Sequence, residues 1–236
     1  MSGVGEVKGA RAALLVLAKA PVPGKVKTRL CPPAIPDHAA RIAAAAFLDT
    51  LDAVLAVPNV IPVVALTGDL AEAVDGAALR ARLRDVTVLP QRGVTLGQRI
   101  AAAYADTAAA VGYRPVLQIG MDTPQVGAPL LSHCLEVLHG DGVDAVLGMA
   151  VDGGWWVLGV LRPELADLIA DIPTSRSDTG LRTLAALQTA GCQVVELPQL
   201  SDVDTWEDAV AVARAVPGSR FAAAVAAGLA GINRHR

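Results

Sequence analysis

The stretch Ala12-Ala13-Leu14-Leu15-Val16-Leu17-Ala18-Lys19-Ala20-Pro21-Val22-Pro23-Gly24-Lys25-Val26-Lys27-Thr28-Arg29-Leu30 joins an apolar run to a loop that carries four cations. The run Ala12 to Leu17 reads as a buried first strand. In the loop, two prolines fix the backbone, and Gly24 lets it come close to a ligand. Lys19, Lys25, Lys27 and Arg29 repel one another unless something anionic sits among them. A strand followed by a stiff basic loop is a candidate cradle for nucleotide phosphates, with a solvated basic loop as the plainer alternative.

Working outward, apolar segments alternate with longer helical patterns. Strands are expected at 60–66, 86–89, 115–119, 145–147, 156–160 and 193–197. Helices are expected at 36–57, 70–83, 97–111, 129–138, 164–170, 179–189 and 205–215. This order predicts an α/β fold: one three-layer α/β/α domain with a mostly parallel sheet. The pair 145–160, joined by a glycine-bearing turn, is expected to add an antiparallel element at one side of the sheet. Residues 1–216 are assigned to this domain and 217–236 to a C-terminal helical extension, with Phe221, Val225, Leu229 and Ile232 on one face.

The 236 residues are 53% hydrophobic with a mean hydropathy of +0.46, yet no apolar run approaches membrane-spanning length. Lys8 and Arg11 ahead of Ala12 to Ala18 imitate a signal peptide, but the run is at the short limit and functional residues follow it. A net charge of −3 speaks against long-range steering onto nucleic acid, so the basic loop is a local exception. Cys31, Cys134 and Cys192 are widely spaced with no CxxC, which reads as free thiols of a cytoplasmic protein. Gly24-Lys25 lacks the remaining Walker-A residues, and neither GxGxxG after the first strand nor GxSxG is present.

Ligands of open α/β sheets bind beyond the carboxyl ends of the strands, and acidic motifs fall in such places. Asp122, in Gly120-Met121-Asp122-Thr123-Pro124, directly follows a buried strand and suits a hard cation such as Mg²⁺, with a helix cap as the plain reading. Asp202 and Asp204 alternate along an extended segment, so they share a side, while Thr205 to Asp208 fits a helix start. Asp152, in Asp152-Gly153-Gly154-Trp155-Trp156, is a candidate to orient or deprotonate an acceptor hydroxyl, or a turn aspartate; the tryptophans offer a stacking face or core. Gln91 to Arg99 is a glycine-spaced loop entering a helix, fit to meet a nucleobase, with Arg99 reaching toward phosphate.

Four of these segments (Ala18 to Leu30, Gly120-x-Asp122-Thr123-Pro124, Asp152-Gly153-Gly154 and Asp202-Val203-Asp204-Thr205) in this order resemble a bacterial family of glycosyltransferase-A-like proteins often labelled nucleotide-diphospho-sugar transferases. The resemblance covers Ala13 to Val210. More distantly, the chain is similar to the guanylyltransferases of molybdenum-cofactor and phospholactate metabolism. It implies a nucleotide held by the first loop, with Lys19, Lys25, Lys27 and Arg29 on the phosphates and Gln91, Gly97 and Arg99 near the nucleoside. It also implies a divalent metal, Mg²⁺ or Mn²⁺, near Asp122 and Asp202 or Asp204. The chain departs from the family on the acceptor side, with Pro173-Thr174-Ser175 in place of a Trp-Ser pair and Trp155 in place of tyrosine.

The expected activity is metal-dependent transfer of a glycosyl group from a nucleotide sugar to a small acceptor. Lys25 and Arg29 would stabilise the leaving diphosphate, and Asp152 would activate the acceptor. The alternative is nucleotidyl transfer from a nucleoside triphosphate to a phosphorylated or carboxylate acceptor, which four cations would suit. A nucleotide-binding regulator without catalysis is the third class.

Overall fold

The structure is a computed structural model and describes residues 11–234. Lys8, and the side chain of Ile232, lie outside the described residues.

The opening apolar run is β1 (Ala12–Lys19), and its alternation sets the architecture. Ala12, Leu14, Val16 and Ala18 enter one core, while Ala13 and Leu15 enter another on the opposite face of the sheet. A strand buried on both faces must have helices on both, which is the arrangement found. Beside β1 lie β2 (Val60–Thr67), β3 (Thr87–Pro90), β4 (Val116–Gly120), β5 (Ala145–Ala150), β6 (Trp155–Val160) and β7 (Val194–Leu200). Their order is β3-β2-β1-β4-β6-β5-β7. Every strand runs parallel to β1 except β6, which is antiparallel to both its neighbours. The antiparallel element therefore lies inside the sheet rather than at one side, because β7 adds beyond β5 in parallel register.

One face carries α1 (Pro36–Leu55), α2 (Gly76–Arg82) and α4 (Ala128–Leu138), which bury Phe47, Leu79 and Leu131 in the first core. The other carries α3 (Leu96–Val111), a 3-10 segment at Pro163–Ile169 and α5 (Thr179–Thr189). Outside α1, the helices α6 (Trp206–Ala215) and α7 (Arg220–Arg234) enclose a third cluster around Leu30, Ile42, Trp206 and Phe221. Asp49 and Asp52 of α1 both pair with Arg220, and Asp49 also accepts the Phe221 N–H, fastening the start of α7.

The helix expected over 70–83 is shorter. Asp69 caps a turn by accepting the Ala71 N–H, Asp75 adopts a left-handed conformation, and α2 begins only at Gly76. The stretch expected at 164–170 is 3-10 rather than α. The ends of α3 and α6 follow their capping signals: Thr95 pairs with Gln98 and Thr205 with Asp208, each in a reciprocal capping box.

Tyr104 of α3 is fully buried, and its hydroxyl donates to the Leu158 carbonyl of β6 at 2.8 Å, tying the helix layer to the antiparallel strand. Tyr104→Phe is expected to cost about 1 kcal/mol. In a calorimetric scan this lowers Tm by roughly 3 °C for a chain of this size.

Candidate active site

Because β6 alone runs backwards, the β5–β6 hairpin turns at the same edge of the sheet where β1, β2, β4 and β7 end. The loops leaving that edge enclose a cavity of about 780 Å³. Lys19, Lys25 and Arg29 line it from the first loop, Asp122 from the loop after β4, Asp152 from the hairpin, and Asp202 and Asp204 from the segment after β7.

The first loop is shaped by its own backbone. The Ala20 N–H bonds to Thr67, and the Pro21 carbonyl accepts from Val74, so the loop is anchored beyond β2. Val26 is buried in the core, and the Lys27 side chain beside it is only 11% exposed. Lys27 is left-handed (φ 47°, ψ 41°), a conformation that costs a non-glycine residue about 1 kcal/mol or more. Its ammonium compensates by donating to Asp122 Oδ2 at 2.8 Å, Asp204 Oδ1 at 3.5 Å and the Val203 carbonyl. Burial alone would lower the Lys27 pKa, but Asp122, with Asp204 and Asp202 behind it, outweighs burial and raises it. Lys27 is thus a fixed cation.

An ammonium has three donors, and all three of Lys27 are committed, which leaves none for a phosphate. Lys27 is therefore a positioning residue in this arrangement, although the sequence placed it among the phosphate contacts. Arg29 donates to Asp204 Oδ2 at 2.8 Å, and Lys25 pairs with Glu72 at 2.9 Å; both heads are well exposed, at 68% and 62%. Lys19 is exposed.

The carboxylates divide differently from the expectation. Asp152, Asp202 and Asp204 each bring an oxygen within 4.8 Å of the others, a grouping suited to a hard divalent cation. Asp122 is not one of the three; its Oδ2 is held by Lys27. Asp152 is oriented by the Gly154 N–H, which donates to its Oδ1 at 2.8 Å. The turn forms because Gly153 is left-handed (φ 90°), closing a three-residue hairpin loop with Gly153 N–H on the Ala150 carbonyl. Asp202 carries the clearest electrostatic signature: burial first, then the charges of Asp152, Asp204 and Asp122, push its pKa up to about 6.

Among the residues expected near the nucleoside the geometry is mixed. Gln91 and Arg99 line the cavity, but the Gln91 amide donates both protons to the Ala18 and Ala65 carbonyls, so only its Oε1 remains to accept. Arg99 Nε donates to the Gly93 carbonyl. Gly97 is buried away from the cavity: a Cβ there would lie 2.7 Å from the carbonyl oxygens of Ile169 and Ala170, so this glycine permits helix packing. Gly24 is an exposed left-handed turn residue outside the lining.

The cavity also gathers residues outside the expected catalytic, nucleotide-binding and metal-binding sets. Gln118 of β4 and Thr123 are buried, line it, and carry Oε1 and Oγ1 atoms with no partner among the described residues. Thr174, Ser175, Arg176 and Ser177 line its far end.

A profile of the family described as "Uncharacterized protein conserved in bacteria (DUF2064)" matches residues 50–176, more than half of the chain. No curated protein sequence matches. Among solved structures, a protein of Desulfovibrio desulfuricans G20 with the provisional name nucleotide-diphospho-sugar transferase is 27% identical, with a TM-score of 0.81 over 96% of this chain and 98% of that one. A cytidylyltransferase of Leptospira borgpetersenii is 15% identical, with a TM-score of 0.52 over 82% of this chain and 78% of that one. The 4-diphosphocytidyl-2C-methyl-D-erythritol synthase of Anaerococcus prevotii is 10% identical, with a TM-score of 0.55 over 85% and 95%. The latter two likenesses are of fold. No helix among the described residues is long and apolar enough to cross a membrane.

The folded protein holds the Asp202 proton up to about pH 6, whereas an ordinary aspartate releases it near 3.8. Between those values folding takes up a proton, so this group costs stability as pH rises through the interval, and the full cost is present above it. Asp202→Asn is therefore expected to raise Tm in the presence of chelator, with a larger gain at about pH 7.5 than at about pH 4.5. An equal gain at both would show that the carboxylate repulsion is not felt.

Proposed function

The chain belongs to the bacterial family DUF2064, and on that footing we propose that it is a transferase that uses a nucleotide-activated donor, moving a glycosyl group from a nucleotide sugar to a small acceptor. The observation that carries this reading is the meeting of exposed loop cations and a three-carboxylate group across one cavity of about 780 Å³ at the carboxyl edge of the sheet.

In this reading Lys19, Lys25 and Arg29 bind the donor diphosphate. Arg29 keeps donors beyond the one given to Asp204, and the guanidinium fork suits a phosphate. With Lys27 committed elsewhere, three loop cations remain, a number that fits a diphosphate better than a triphosphate. Asp202 and Asp204, with Asp152 in reach of both, would hold Mg²⁺ or Mn²⁺, and their oxygen-only donor set fits such an ion. When bound, the ion would neutralise charge growing on the leaving diphosphate. Asp122 acts through Lys27, which it holds against Asp204. Asp152 sits on the hairpin turn, where it can accept a hydrogen bond from an acceptor hydroxyl and take its proton. Gln91 Oε1 and Arg99 face the nucleoside.

In a thermal-shift and calorimetric panel with Mg²⁺, one nucleotide sugar is expected to raise Tm more than its parent diphosphate does, and chelator to abolish the difference. Arg29→Ala is expected to weaken that binding by roughly tenfold. A shift confined to one nucleoside triphosphate would instead mean nucleotidyl transfer. No shift with any nucleotide would overturn the reading.

A further inference from the structure

The far end of the cavity is built by a segment that neither the basic loop nor the carboxylates explain. Residues 173–178 lead into α5, and Thr174, Ser175, Arg176 and Ser177 all line the cavity. The segment is held firmly. The Thr179 hydroxyl donates to the Pro173 carbonyl and accepts from the Arg176 N–H, and the Gly180 N–H donates to the Gly153 carbonyl at 2.8 Å. A Cβ on Gly153 would lie 2.0 Å from the Ser177 carbonyl oxygen, so this segment rests directly on the turn that carries Asp152. Ser175 is left-handed (φ 59°), a strained conformation of the sort retained where a loop must present a particular side chain.

That side chain is Arg176. Asp178 accepts from Arg176 Nε at 3.2 Å and from Arg182 Nε at 2.7 Å, which aims the first guanidinium and shares the carboxylate between two cations. Arg176 is exposed, and its terminal amino groups make no hydrogen bond among the described residues. On the α3–α5 side of the sheet, the same cavity offers the half-buried face of Trp155.

We infer that this end of the cavity is an acceptor subsite for a small oxyanion-bearing hydroxy compound: Arg176 binds a phosphate or carboxylate and Trp155 covers the carbon skeleton, with the hydroxyl directed to Asp152 on the adjoining turn. The inference rests on the reading of the site as that of a transferase, and it specifies the acceptor class.

The test uses the full chain with Mg²⁺ and the nucleoside diphosphate that it binds most tightly. Three probes are titrated calorimetrically: glycerol 3-phosphate, glycerate and glycerol. One or both anions are expected to bind, with glycerol at least about tenfold weaker, and the stronger anion names the group. Arg176→Gln is expected to weaken the anion by roughly tenfold, with Arg176→Lys recovering part of the loss and nucleotide affinity unchanged in both. Equal binding of glycerol, no anion binding to the wild type, or loss of nucleotide rather than probe affinity in Arg176→Gln would overturn the subsite. Failure of the wild type to bind any nucleotide would instead count against the transferase reading, and the probes can still be titrated without nucleotide.

Discussion

The site depends on one buried ammonium. Lys27 donates to a carboxylate after β4, a carbonyl after β7 and a second carboxylate beyond it, so a single side chain joins three loops that are distant in sequence. The backbone repeats the connection, with the Val203 N–H donating to the Asp122 carbonyl at 3.2 Å. Removing one member of such a group strands the others in a partly desolvated site, which typically costs several kcal/mol. Its Coulombic role is equally specific. Burial first, and then the charges of Asp152, Asp204 and Asp122, raise the Asp202 pKa. One fixed positive charge lets three loops carry that density of acid without separating.

Topology decides where this charge density appears. β5, parallel to β1, ends at the carboxyl edge, and a parallel β6 would need a crossover from there to the opposite edge. Because β6 lies antiparallel between β4 and β5, the chain turns tightly at the carboxyl edge with Asp152 on the turn, and the parallel β7 then delivers Asp202 and Asp204 beside it. The basic loop arrives from β1, at the centre of the sheet. Cation and anion groups therefore meet across one cavity without either needing a long excursion of chain.

Much of the fold was legible because its signals are local. The apolar run at 12–17, the alanine-rich helix from Pro36 and the capping residues Thr95 and Thr205 each decide their own element. What escaped was pairing. The hairpin at 145–160 was expected at a sheet margin, since its place depends on where β7 adds, which no local pattern states. The acidic motifs and the basic loop were visible, but their partners were not: Lys27 reads like its neighbouring cations, and only the folded chain brings Asp122 and the Val203 carbonyl to it. The sequence grouped Asp122 with Asp202 and Asp204, whereas in the structure Asp152 lies with that pair and Asp122 is paired with Lys27. Gln118 reads as an ordinary strand residue, and only its burial beside a cavity sets it apart. A usable signal did exist for Arg176, a cation set among hydroxyls just before a helix start.

In the proposed arrangement a divalent cation binds among Asp152, Asp202 and Asp204, while Asp122 stays on Lys27. A crystal soaked with Mn²⁺ and a nucleoside diphosphate, with an anomalous difference map at the manganese edge, tests this arrangement. A peak is expected in coordination range of Asp202 and Asp204, with Lys27 still on Asp122. A peak ligated by Asp122 with the lysine displaced, or no peak beside these carboxylates, would contradict it.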